Sequence, residues 1–316
     1  MICKSMVWIA MVMMLCACHG KTGDSRSGQN ERPQNEEKAN ISPELAEQLK
    51  AYGYLPPEKS SNGKKTPHNP YANADIAHFM EEMDATFVFL DVSRDIEIVH
   101  NQTRANERFS PCSTFKIPNT LIALETGVMT DAQSEIKWDQ EKYPKQPSWD
   151  AIQKNNGINW ERDHTLQSAF QNSCVWCFMD IAERIGQVRM QKYVDLFQYG
   201  NRDILSGKWP FWLESCLTIS AKEQVAFLKR FLQNDLGLSE NARREGRAVF
   251  RREVKDTSVL YAKTGGGSNI GWFVGFVENE ENQYLFAFNI SGKPQDIGVK
   301  RVPVTMNILR ELGIWP

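Results

Sequence analysis

The sequence predicts an α+β fold: a mostly antiparallel sheet covered by helices on both faces, with an inserted helical subdomain. Short apolar runs with β-branched residues gather at 85–99 and again over 258–291, as strands do. Between them, up to about Val254, the apolar residues recur mostly at helical spacing, and a last helical stretch runs from about Arg301 to Leu312. Strands near both ends, with helices between and outside, fit a sheet with helices packed on it. At 316 residues, 41% hydrophobic and 24% charged, the chain can bury a sizeable core.

Lys4 gives the chain a short positive start, and Met6 to Ala17 is almost wholly apolar. That run is shorter than the ~20 residues a bilayer demands, but it suits a secretory leader over 1–18. It closes in Leu15-Cys16-Ala17-Cys18, which resembles a bacterial lipobox. Lipidation of Cys18 would leave the exported protein tethered to the membrane on the periplasmic side. Ordinary cleavage near Gly20 would release a soluble periplasmic form. Residues 19–72 are rich in Gln, Asn, Glu, Lys, Ser and Pro, too polar to order themselves, and read as a tether. Within it, Ser42-Pro43-Glu44 and the residues to Leu49 could start a short helix, Ser as cap and Pro in the first turn.

The folded domain is expected over 73–316, with sheet parts about 73–112 and 255–316 and a helical part about 113–254. Ala85–Asp91 and Ile96–Val99, joined by Ser93-Arg94-Asp95, read as a hairpin. Thr114 to Thr126 reads as a helix closed by Gly127. Strands follow at Ser258–Thr264, Trp272–Glu278 and Tyr284–Ser291. The net charge of -2 gives no footprint for nucleic acid. The densest basic run, Arg243-Arg244 through Arg251-Arg252, is interleaved with Glu245 and Glu253 and reads as a solvated helix face.

Of seven cysteines, Cys3, Cys16 and Cys18 belong to the leader; Cys112, Cys174, Cys177 and Cys216 remain. Cys174-Val-Trp-Cys177 has the spacing of a redox or zinc half-site. No second pair follows, and the five His show no ligand spacing. The expectation is therefore buried free thiols and no metal.

Ser113 and Lys116 stand three apart just after Pro111, on one face at the start of a helix. Serine is a weak nucleophile that needs a base beside it, and a lysine made neutral by burial can contribute to that base. Outward N–H groups at a helix start can stabilise an oxyanion. Lys263-Thr264-Gly265 ends an expected strand, where cation and hydroxyl can meet a carboxylate and glycine admits a ligand close to the backbone. Each pattern alone is common. Together, in this order, they match the serine β-lactamase and penicillin-binding-protein signature.

The stretch Arg108-Phe-Ser-Pro-Cys-Ser-Thr-Phe-Lys-Ile-Pro-Asn119, continuing to Gly127, resembles the nucleophile segment of class D serine β-lactamases, the oxacillinase family. Asp163-His-Thr-Leu166, Ser173-Cys-Val175, Tyr199-Gly-Asn201, Phe211-Trp-Leu-Glu214 and Gly271-Trp-Phe-Val-Gly275 follow in family order. The likeness spans nearly everything from about Asn73 onward. Ser-Cys-Val, without the Asn of Ser-Asp-Asn, sets the chain apart from class A.

By that resemblance, Ser113 is the acylated nucleophile and Lys116 carries CO2 as N6-carboxylysine, the general base, with no other cofactor. Phe115, Val175 and Trp212 would screen the lysine from water, and Trp212 would donate its indole N–H to the carbamate. Trp209 is a nearby competitor, but only Trp212 precedes Leu-Glu. Ser173 would relay a proton to the leaving nitrogen. Lys263 and Thr264 would hold the drug carboxylate, and the N–H groups of Ser113 and Gly266 the oxyanion. Arg301 aligns with a carboxylate-binding arginine at the start of the last helix, Lys300 beside it being the rival. Tyr199 and Asn201 would shape the loop beneath the site.

The resemblance implies β-lactam hydrolysis, hence antibiotic resistance, with a small-molecule β-lactam as partner and membrane contact only through a lipid on Cys18. A sensor-like β-lactam-binding module or a penicillin-binding protein, acylating without turnover, is the alternative. No other segment approaches ~20 apolar residues to carry a signal across a membrane. Substrate spectrum and oligomeric state are not legible in the sequence.

Overall fold

A computed structural model of the chain describes residues 69–316. The leader with Cys18, the 42–49 island and the tether through residue 68 lie outside the described residues.

Strands β1 (Ala85–Asp91) and β2 (Ile96–His100) form the expected hairpin, followed by the short helix α1 (Gln102–Asn106). A 3₁₀ turn, Cys112–Phe115, runs into helix α2 (Lys116–Glu125). A two-stranded ribbon, β3 (Glu135–Ile136) with β4 (His164–Thr165), brackets α3 (Pro147–Asn156). Helices α4 (Leu166–Gln171), α5 (Val175–Ile185), α6 (Gln187–Leu196), α7 (Ala221–Leu232) and α8 (Glu240–Phe250) complete the insertion. Strands β5 (Arg251–Lys255), β6 (Ser258–Gly266), β7 (Ile270–Glu278) and β8 (Gln283–Ser291) then lead to the last helix, α9 (Pro294–Glu311). The main sheet has the order β2-β1-β8-β7-β6-β5, every neighbouring pair antiparallel.

Both faces of the sheet are covered, as expected, and the strand period assigns side chains between them. On β1, Val88 and Leu90 join a cluster with Leu121 of α2, Phe178 of α5 and Phe276 of β7. Phe87 and Phe89 point the other way, into a cluster with Phe273, Phe286, Ile308 and Leu309 that α9 completes. All seven residues of β1 are buried, the polar Thr86 and Asp91 included, so burial does not alternate along this strand.

Three boundaries differ from expectation. Helix α9 begins at Pro294, seven residues before Arg301, with proline at its first turn. Pro303 inside it removes an N–H donor and obscures the helical pattern in the sequence. The basic run over 243–252 is a helix only as far as Phe250. Arg251 and Arg252 then open the edge strand β5, whose five residues are all exposed. Backbone pairing to β6 decides that strand, which lacks the apolar run that marks strands in sequence. Tyr71, within the expected tether, is buried, and its hydroxyl donates to Asp91 Oδ2 at 2.7 Å. Burial opposes the charge on Asp91, but hydrogen bonds from Tyr71, Asn282 and Arg94 outweigh it and hold the carboxyl at about 2.

Candidate active site

Ser113 lies within the 3₁₀ turn and Lys116 opens α2, so the spacing of three brings their side chains together: Lys116 Nζ is 3.0 Å from Ser113 Oγ. As an ammonium the lysine donates to the hydroxyl; as an amine it can accept the serine proton. Lys116 is 1% exposed and forms no ion pair among the described residues. Burial pushes its ammonium down to about 7, against a small opposing effect of Cys112. Its Nζ sits 5.3 Å from the Phe178 ring centroid, and the Phe115 ring stacks on Trp212 at 5.5 Å.

Trp212 is buried, and its Nε1 is an indole donor with no hydrogen-bond partner among the described residues. An orphaned buried donor is costly unless something accepts from it. Trp209 is 48% exposed and meets Trp212 only edge-on, so it does not supply that buried donor.

Ser173 follows α4 with φ +54°, a left-handed geometry that costs a non-glycine residue energy and that the surroundings must hold. The N–H groups of Ser173 and Cys174 donate to Phe170 O and Ala169 O, closing α4 and starting α5. Val175 is the half-buried first residue of α5. Cys174 and Cys177 are not free thiols: they form a disulfide. Cys174 caps α5 and Cys177 sits on its first turn, with Cα atoms 5.5 Å apart, inside the reach of a disulfide. Cys112 and Cys216 are free, and burial raises the Cys112 thiol to about 11. His164 is the one residue among those described that joins the cysteine pair as a possible metal group, ligand atoms within 4.8 Å. The disulfide engages both sulfurs, and His164 Nδ1 already meets Ser168 Oγ at 3.1 Å.

Lys263, Thr264 and Gly266 line the end of β6. That end is pressed against the nucleophile turn: a Cβ on Gly265 would lie 2.9 Å from Pro111 O and 3.1 Å from Thr114 Cγ2. Only glycine permits this approach. Trp272, from β7, donates its Nε1 to Ser110 O at 2.9 Å and fastens the same turn. Lys263 is 3% exposed and donates to Thr264 O at 3.0 Å. Burial, then the positive charges of Lys116, Arg252 and Arg301, lower its ammonium well below the ordinary lysine range. Arg301 reaches this strand from within α9, its Nη1 donating to Gly265 O at 3.0 Å, while Lys300 is exposed. Arg301 thus joins the site from mid-helix and not from a helix start.

Beneath the site Tyr199 is buried edge-on to Phe115, and Asn201 bonds Cys216 O at 2.7 Å and Thr218 N at 3.0 Å. Ser110 belongs to the nucleophile segment without a role expected from its sequence. Its Oγ donates to Trp212 O at 3.0 Å and accepts from Glu214 N at 2.9 Å, tying the nucleophile turn to the tryptophan loop. Nothing in a lone serine's sequence context signals that.

A half-buried serine on a buried lysine, set against a Lys-Thr-Gly strand between a helical insertion and an antiparallel sheet, defines a penicillin-recognising serine acyl-transfer protein. Residues 69–310 match the family profile of the penicillin binding protein transpeptidase domain. Beta-lactamase OXA-48 of Klebsiella pneumoniae is 36% identical over 245 residues, 76% of this chain and 88% of that protein. The solved class D beta-lactamase BSU-2 delta mutant is 32% identical with a TM-score of 0.70, covering 79% of this chain and 100% of that one. Regulatory protein BlaR1 of Bacillus licheniformis is 31% identical over 249 residues, 77% of this chain but 39% of that protein. The chain belongs to the class D serine β-lactamases.

Proposed function

We infer that this chain hydrolyses β-lactam antibiotics by acylating Ser113 and then releasing the acid, which would confer resistance on its host. The observation that carries the reading is the buried Lys116 amine 3.0 Å from Ser113 Oγ, without a counter-ion among the described residues. Lys263 and Thr264, with Arg301 beside them, supply a cationic end for the substrate carboxylate. The N–H groups of Ser113 and Gly266 flank the attacked carbonyl and stabilise its oxyanion. Ser173 both donates and accepts, which suits passing a proton to the leaving nitrogen.

The residues also fit a CO2 adduct on Lys116. Burial holds the amine near neutrality at ordinary pH, and Trp212 Nε1 lacks an acceptor. Such a carbamate supplies an anionic oxygen base for both the serine proton and the deacylating water. Export and lipidation at Cys18 complete the reading, supported by the Leu15-Cys16-Ala17-Cys18 ending and the polar segment after it.

The test is to mix the protein with benzylpenicillin and follow ring opening and intact mass together. Many turnovers per enzyme, with an adduct that appears and decays and is absent in Ser113→Ala, are expected. A stoichiometric adduct that persists without turnover would favour the sensor reading, which the likeness to the BlaR1 regulatory protein keeps in view. Cys18→Ala should move the protein from the membrane fraction to the soluble periplasm; an unchanged distribution would point to cleavage near Gly20.

A further inference from the structure

The cations around the Lys-Thr-Gly strand outnumber the single carboxylate they are expected to hold. On α8, Arg244 pairs with Glu245 and Arg247 with Glu278, so the helix compensates these two charges locally. A few residues on, Arg251 and Arg252 form no ion pair among the described residues, and neither do Lys263 and Arg301. Arg251, Arg252 and Lys263 share the lining of one cavity of about 240 Å³ with Phe170, Gln171, Phe250 and Ala262. No Asp or Glu lines it.

The cavity shares Lys263 with the site, and neither Ser113 nor Gly266 lines it. It therefore adjoins the carboxylate end of the site and not the oxyanion end. Arg252 feels one acid, its chain neighbour Glu253, but its guanidinium lies 5.4 Å from the Phe273 ring centroid and is free of a carboxylate clamp. Uncompensated cations at the wall of a cleft raise the local concentration of anions and favour ligands of higher negative charge.

Resting on the β-lactam reading above, we propose that Arg252, with Arg251, forms a second anion subsite beside Lys263, selecting β-lactams that carry an additional negative group on the ring side, next to the ring carboxylate. A guanidinium suits this task because its planar fork meets carboxylate or sulfonate oxygens in pairs. The subsite is solvent-facing, so its contribution is screened by salt.

Two cephalosporins with the same acyl side chain make the test: cefonicid bears a sulfomethyl group on its ring-side heterocycle where cefamandole bears a methyl. Each is measured as a competitor of benzylpenicillin hydrolysis, or of covalent labelling by a fluorescent penicillin, in wild type, Arg252→Gln and Arg252→Lys. Wild type should bind the dianion about tenfold more tightly than the monoanion, the size of one charge-assisted hydrogen bond. The ratio should shrink with added salt, collapse towards one in Arg252→Gln and partly return in Arg252→Lys. A ratio near one in wild type, or one that Arg252→Gln leaves unchanged, overturns the subsite. Because both assays see only folded enzyme and the readout is a ratio, general damage cancels. Failure of benzylpenicillin to be turned over would instead count against the hydrolase reading, with the labelling assay still reporting the ratio.

Discussion

Lys116 concentrates the residue-scale physics. Its folded value of about 7, against 10.5 for an ordinary lysine, means the amine loses its proton only as pH rises through neutrality. Activity should therefore fall as pH drops below about 7 in degassed buffer and recover on adding bicarbonate at the same pH. Trp212→Ala removes a buried donor that has no partner among the described residues, on the ring that stacks with Phe115, and should deepen the bicarbonate requirement. A rate indifferent to degassing and bicarbonate would make the free amine the base.

The same shift is a cost to folding. Between pH 10.5 and about 7 the unfolded chain holds the proton and the folded chain does not, so stability is lost as pH falls through that window. At pH 7 the loss is about 4 kcal/mol for a shift of this size. Lys116→Met should be more stable than wild type at pH 7 in CO2-free urea titrations, and the gap should close towards pH 10.5. An equal gap at both pH values would contradict the shift.

At the scale of elements, the site is a seam between β6 and the 3₁₀ turn that carries Ser113. Gly265 is the contact point, since any Cβ there meets Pro111 O at 2.9 Å. Gly265→Ala must push the strand or the turn aside, and a displacement of about 1 Å in such a site costs about 10²-fold in rate. We expect kcat/KM for benzylpenicillin to drop by that order while the far-ultraviolet circular dichroism stays native. Wild-type kinetics in this variant would mean the seam is looser than the distances state.

Across the whole molecule, one apolar cluster runs without interruption from the helical insertion to the sheet, with Leu121 of α2, Phe178 of α5 and Val274 of β7 among its members. The catalytic turn is suspended in that cluster, so insertion and sheet should unfold together. Leu121→Ala, at a fully buried position, should cost about 2–5 kcal/mol, typical of large-to-small core changes. The loss of activity and of helical signal on heating should then shift together. Separate transitions would show that the insertion melts independently.

The sequence by itself determined the covalent chemistry and the layout around it. Ser113-x-x-Lys116 and Lys263-Thr-Gly265 are local in the chain, and the strong strands and helices announce themselves through their apolar period. Tertiary structure decided what depends on partners distant in sequence. The Cys174–Cys177 bridge follows from a helix start that aims both sulfurs the same way. Arg301 enters the site from mid-helix because Gly265 O, on β6, is there to receive it. Arg251 and Arg252 leave α8 for an edge strand because β6 offers unpaired backbone groups, which places an ordinary-looking basic run at the wall of the site. A pattern in sequence reports which face a residue prefers, whereas a hydrogen bond or charge across the fold belongs to whichever neighbour packing brings within reach.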